Sequence, residues 1–292
     1  MRYPKPALKI EEQIVLLEGR GLAVGDRGSA SRWLRRVSYY RLSAYFLPFK
    51  NGETFRQGSS FEQILDLYKF DARLRLLVSQ ALGRVEIAIR TSVTYEMAHS
   101  TGPFGYADCE NFIRSADHAK FMQQLSVEES RSRETFVKHF RQKYHTETHL
   151  PIWMATELCS FGSLSMLYKN LRPVLQKRIA AEYEVPGTVL ASWLHTLAYV
   201  RNLCAHHSRL WNRELAIKPS LPHGWGYKNV APDRIYSVLV ILQHLLKTRA
   251  RSCTWQNRLT KLIEEHPKVD LVAMKMPAEW EILAPWAESG RE

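Results

Sequence analysis

The chain has 292 residues, 45% of them apolar and 24% charged, ordinary globular usage that excludes a disordered or fibrous protein and allows one large domain or two smaller units. Its 41 Lys and Arg against 29 Asp and Glu leave a formal charge of +12, which makes phosphate polymers natural partners, although many basic proteins bind none. Cys109, Cys159, Cys204 and Cys253 include no C-x-x-C pair, which argues against a zinc knuckle or a dense disulfide framework and fits a reducing cytosol. The opening residues carry no apolar signal core, and the most apolar run, residues 235–246, is far short of a membrane span, so a soluble, cytoplasmic protein with no membrane partner is expected.

Apolar positions recur with period 3.6 and sustained period-two alternation is hard to find, which predicts an all-α architecture in which strands need not occur. A first helix over residues 10–17 ends at Gly19 and Gly21, and a second, capped at Ser29 or Ser31, carries Trp33 and Leu34 toward Val37. Residues 38–49 then gather Tyr39, Tyr40, Tyr45, Phe46 and Phe49 around Arg41, and Asn51-Gly52 closes the cluster with a turn. Rings beside a guanidinium can stack single-stranded bases, yet packing of a hairpin onto a core is the commoner use. The expected organisation is an N-terminal lobe, residues 1–58, followed by a helical domain over residues 59–292.

From a Ser59-Ser60 cap, Phe61, Ile64, Leu65, Tyr68, Leu74, Leu77, Val78, Ala81, Val85, Ile89 and Val93 trace one stripe that ends before Gly102-Pro103, a long scaffold helix with a bend expected near Asp71. Its other side carries Arg73 and Arg75, read as solvated, and Glu86 with Arg90 at i, i+4, an expected surface pair. Residues 116–144 read as a basic outer helix whose last turns gather Lys138, His139, Arg141 and Lys143; such a run is usually solvated. Residues 153–158 and 164–171 read as core helices with Phe161-Gly162 as a hinge and Pro173 as a stop or restart. Pro186-Gly187 opens a helix over residues 188–211, a loop with Pro219, Pro222, Gly224 and Gly226 follows, and helices over 233–248 and 254–265 close the chain.

The chemistry sits on the 188–211 helix. Trp193, Leu197, Val200 and Cys204 define its buried stripe, and His195, Tyr199, Asn202, His206 and Arg209 run beside it as a second, polar one. Arg201 and His206 project roughly 140° apart on an ideal helix, whereas Asn202 and His206 lie one turn apart and align. Arg201 must therefore curl toward His206, or two copies related by a two-fold axis must bring their pairs to one cleft. Such a cleft suits transesterification of RNA by its own 2′-OH: His206 is a general base or acid, Arg201 steadies the phosphorane, and Asn202 orients His206 or holds a phosphate oxygen. His207 competes with His206 but points off the stripe, and Cys204 reads as a core thiol. Cys204, His206 and His207 lack a second ligand group at finger spacing, so neither metal nor cofactor is expected. Taken alone, Arg-Asn-x-x-x-His is a weak signal, since a helical His is more often structural.

Several ordered motifs together resemble the Abi-like abortive-infection proteins typified by AbiD and AbiF, whose C-terminal part belongs to the HEPN superfamily. They are residues 19–24, Tyr39-Tyr40-Arg41-Leu42-Ser43-Ala44-Tyr45, Phe70-Asp71-Ala72-Arg73-Leu74-Arg75, Val85-Glu86-Ile87-Ala88-Ile89-Arg90-Thr91, Trp153-Met154-Ala155-Thr156-Glu157 with Phe161-Gly162, and Val200-Arg201-Asn202-Leu203-Cys204-Ala205-His206. The resemblance implies a HEPN-type helical bundle, usually a homodimer, in which Arg201 and His206 form an R-x4-6-H ribonuclease motif. It implies phage defence by arrest of the infected cell, with a structured small RNA as a binding or restraining partner, and it makes Glu86 a supporting residue. Tyr199 and His207 join Glu86 as supporting candidates, and Arg32, Arg35, Arg36, Arg41 and Arg209 are the candidate RNA-contacting cations. Two other readings compete: a non-catalytic module binding structured RNA, or duplex DNA through a helix-turn-helix in the first hairpin, and a structural or antitoxin-like partner.

Overall fold

A computed structural model describes residues 6–222, 230–249 and 254–287. Those residues form twelve α-helices, six short 3-10 turns and one two-stranded sheet, the all-α architecture that the periodicity predicts. Contacts divide the chain into two units, Met1–Arg75 with Arg258–Asp270, and Leu76–Asn257 with Leu271–Glu292. None of the described helices is long and apolar enough to cross a membrane.

The first unit opens with α1 (Ile10–Gly19) packed on α2 (Arg27–Val37), the expected hairpin. Asp26, not Ser29 or Ser31, caps α2: its carboxylate accepts the Gly28 N–H at 2.8 Å, and both serines fall inside the helix because the carboxylate already satisfies a first-turn donor. Ser38, at φ 70, ends α2 and caps α3 (Tyr39–Ser43). The aromatic cluster divides. Tyr45 and Phe46 are buried, with Phe46 edge-on to Tyr39 and Phe55, while Tyr40 is 88% exposed and Arg41 is exposed beside it. Asn51-Gly52 makes the expected turn, but it joins two strands, β1 (Lys50–Asn51) and β2 (Thr54–Phe55), each of only two residues and too short to show period-two alternation.

The long helix α4 (Phe61–Thr101) begins and ends where its signals say. Ser60 donates its N–H to Gln63 Oε1 at 2.9 Å and its Oγ accepts the Gln63 N–H at 3.2 Å, a reciprocal cap. Of the stripe's eleven apolar residues only Tyr68 is less than fully buried. Arg75 corrects the solvated reading: it is buried against the fully buried Asp71 carboxylate, which also accepts the Tyr45 hydroxyl at 2.6 Å. A lone helix wheel hides this, because Tyr45 comes from another segment. Arg73 remains half exposed and pairs with Glu265.

In the second unit the expected basic outer helix is two helices, α5 (Ser115–Arg131) and α6 (Thr135–Lys143), and Arg141 turns back onto Glu129, so its charge is already matched. Next come α7 (Ile152–Ala155), α8 (Phe161–Asn170) and α9 (Pro173–Ala181), where Pro173 restarts a helix at its first turn. Helix α10 (Gly187–Ala205) packs on α8 and α9, and α11 (Ile235–Arg249), apolar on nearly every side, lies against it. Helix α12 (Trp255–Glu264) runs from the second unit into the first. Of the expected 219–226 loop, Gly224 and Gly226 lie outside the described residues.

Candidate functional site

Three anchors fix the position of α10. At its start, a Cβ on Gly187 would stand 3.1 Å from Gln176 Cβ, so any side chain there would push α9 and α10 apart by a few tenths of an ångström. The Tyr168 hydroxyl spans the same junction, within 3.0 Å of Gln176 O and 3.2 Å of Gly187 O. Along its length, the predicted stripe of Trp193, Leu197, Val200 and Cys204 is buried, joined by Leu190 and Leu194. Beneath it, the His244 ring of α11 meets Trp193 edge-on at 5.6 Å and donates to Tyr183 O at 2.8 Å. Burial holds this imidazole below its ordinary pKa, against the smaller opposing effect of that bond.

The helix stops six residues before Trp211, where the sequence suggests it would end. The Ser208 N–H bonds Leu203 O at 2.9 Å and the His207 N–H bonds Cys204 O at 3.0 Å, the paired closure of a Schellman turn with His206 as C-cap. His207 holds the left-handed position at φ 54, where glycine is usual and histidine is one of the few tolerated alternatives. The stop is illegible in sequence because the glycine that marks such turns is absent. One consequence is a correction: Arg209 lies beyond the turn, half-buried, and does not continue the polar stripe.

Arg201, Asn202 and His206 are all exposed on the last turn and its cap. The Arg201 guanidinium leans onto its neighbour, with NH1 3.4 Å from Asn202 Oδ1. That contact is long, but it bends Arg201 toward the side on which Asn202 stands one turn below His206. The His206 ring, on an exposed residue, makes no side-chain hydrogen bond or ion pair among the described residues. His195 is exposed, Tyr199 is half-buried and His207 is exposed. Among the described residues no three His, Cys, Asp or Glu side chains gather as a metal site, and the Cys204 thiol is buried in the core.

Glu86 lies elsewhere in the same unit. It pairs with Arg90 at 2.8 Å, and Arg90 also donates to Thr156 O at 2.9 Å and Cys159 O at 3.1 Å. The expected surface pair is therefore half-buried and clamps the segment after α7 to α4. Of the remaining cations, all in the first unit, Arg32 faces Asp26 at 3.7 Å, Arg35 faces Glu11 at 3.6 Å and Arg36 lies 5.7 Å from the Trp33 ring. Sequence reasoning missed a groove beside the clamp, between α4 and α7, where Tyr95, His99 and Trp153 stand partly or largely exposed. Its only signal was Tyr95 and His99 at i, i+4 on the outward face of α4.

A family described as Abi-like protein matches the chain over residues 32–212, a span from within α2 to beyond the turn that ends α10. No curated protein matches the chain, and no solved structure does.

Proposed function

Given that the chain belongs to the family of Abi-like proteins, we propose that it is a metal-independent endoribonuclease of the HEPN superfamily, of AbiD or AbiF type, that defends against phage by arresting the infected cell. The observation that carries this reading is the exposed end of α10, where Arg201, leaning on Asn202, and an unengaged His206 meet the solvent together. An imidazole on an exposed residue with no hydrogen-bond partner among the described residues can take the proton of a ribose 2′-OH as its oxygen attacks the adjacent phosphorus. The new 2′-O–P bond replaces the P–O5′ bond, and the 5′-oxygen leaves with a proton from a second acid, for which His207 stands next in the chain. Arg201 offers forked donors to the phosphorane oxygens as negative charge collects there. The products are a 2′,3′-cyclic phosphate and a 5′-hydroxyl, and DNA, without the attacking hydroxyl, is inert.

On this reading the protein works in the cytoplasm as a homodimer whose two α10 ends share a cleft, and a structured small RNA binds or restrains it. Purified protein should cleave RNA in EDTA and leave cyclic ends. Cleavage by His206→Ala and Arg201→Ala at the parent's rate would overturn the assignment.

The exposed face of α2 favours a second reading, a non-catalytic nucleic-acid-binding module, because Trp33 lies 5.7 Å from Arg36 and 5.4 Å from Lys69, two cations ready for phosphate. Sequence-dependent binding of duplex DNA with no RNA cleavage would establish it instead.

A further inference from the structure

The groove between α4 and α7 has a volume of about 610 Å³, the size of a small-molecule site. One wall is aromatic: Tyr95 and His99 lie in tilted contact, ring centres 4.1 Å apart, with the imidazole held by Nδ1 at 2.9 Å from Tyr95 O. Trp153, half exposed, faces the same space from α7. Large exposed rings on two walls of one cleft present π surface to water, the arrangement on which nucleobases stack. The Arg90 clamp holds the wall that bears Glu157, because it bonds the carbonyls of Thr156 and Cys159 on either side.

Glu157 gives the groove its selectivity. It is exposed, lines the groove, and has no ion-pair partner among the described residues. A carboxylate only accepts hydrogen bonds. Guanine alone among the RNA bases offers two adjacent donors on its Watson–Crick edge, N1–H and the N2 amino group. Adenine and cytosine set a ring acceptor against the carboxylate, and uracil has a single N–H flanked by carbonyls.

Cations without carboxylate partners among the described residues stand beyond the Glu157 end of the groove. Arg131 and Arg133 line the adjoining cavity of about 460 Å³, which shares Glu157 with the groove and also contains Glu128 and Glu134. Two cations beyond one end suit a phosphate that flanks a nucleotide held in the groove. We propose that this groove binds a single unpaired guanosine of an RNA strand, its base between the Tyr95–His99 pair and Trp153 and its Watson–Crick edge on Glu157. The proposal rests on RNA being the partner of this protein and adds where one base of it is read.

The test uses full-length His206→Ala protein, which leaves the strand uncut, and fluorescent nine-residue oligouridylates with guanosine, adenosine, cytidine or uridine at the centre. Anisotropy should show the guanosine strand binding about tenfold tighter, the scale of one bidentate base contact. Glu157→Gln should erase that preference, and Trp153→Ala should weaken all four strands. Tyr95→Ala, at a second exposed ring, repeats the stacking test should Trp153→Ala not fold. Equal binding of the four strands, or a guanosine preference that survives Glu157→Gln, would overturn the proposal. So would competition by free guanosine monophosphate as effective as that by the strand. Cleavage that depends on His206 with no base preference in binding sinks the guanosine site alone, whereas guanosine-selective binding with no cleavage by the parent sinks the ribonuclease reading alone.

Discussion

Replacing Arg90 by alanine is the sharpest test of how the second unit holds its groove. The side chain is only 14% exposed and makes three bonds at once, to Glu86 Oε1 at 2.8 Å, Thr156 O at 2.9 Å and Cys159 O at 3.1 Å. Each is a hydrogen bond from a charged donor, and truncation leaves two carbonyls and a half-buried carboxylate to find water. Partial exposure discounts the full sum, so the expected cost is about 2–4 kcal/mol. Arg84, exposed on the same helix and without an ion-pair partner among the described residues, is the control, and its alanine variant should stay within about 0.5 kcal/mol of the parent. Arg90→Lys should fall between, since a single ammonium cannot reach two carbonyls and a carboxylate as a fork does. Urea unfolding followed by circular dichroism measures all three. If Arg90→Ala unfolds at the same urea concentration as Arg84→Ala, the clamp is a surface pair after all and the account of the groove wall fails.

In the first unit, Asp71→Ala should cost about 3–5 kcal/mol because it removes the carboxylate nearest a buried guanidinium, whereas Tyr45→Phe, which deletes one hydroxyl bond to that carboxylate, should cost about 1–3 kcal/mol; equal unfolding midpoints for the two would contradict the ranking. His244 makes stability depend on pH. Its folded pKa is depressed, so the unfolded chain binds the proton first and stability falls as pH drops through about 6.5; His244→Gln should flatten the curve of unfolding midpoint between about pH 7 and 5, and an unchanged slope would refute the cause. Burial pushes the Cys159 thiol up to about 12, so a thiol reagent should label exposed Cys109 in the native protein and reach Cys159 only after unfolding; mass spectrometry of labelled peptides reads the order directly.

Where a signal is local and chemically specific, sequence and structure coincide. Ser60 and Gln63 bracket the start of α4, Gly102 stands just past its end, and the stripe between them needs no partner to be recognised. Where the deciding contact comes from elsewhere in the chain, the sequence is silent. Arg75 looks solvated on its own helix and is buried because Tyr45 and Asp71 enclose it. The groove escapes notice for the same reason: Tyr95 and His99 belong to α4, Trp153 and Glu157 to a segment some sixty residues later, and only folding sets them on one cleft. The end of α10 fails differently. Its turn uses backbone bonds that any residue can make, and His207 accepts a conformation normally signalled by glycine.

That turn also changes what the Arg-Asn-x-x-x-His string means. On an endless helix Arg201 and His206 diverge by roughly 140°, and Arg209 would extend the same polar face. With the helix closed at Ala205, His206 is a cap and His207 follows it in a left-handed backbone, so two imidazoles leave one helix end on consecutive, differently directed residues. Arg201 reaches Asn202 and thereby closes part of its own angular gap. What one chain leaves open is the distance between a guanidinium that leans on the amide and the ring one turn away. A two-fold partner presenting the same helix end would supply a second Arg201 to each His206, which is why dimerisation and catalysis belong to a single proposal.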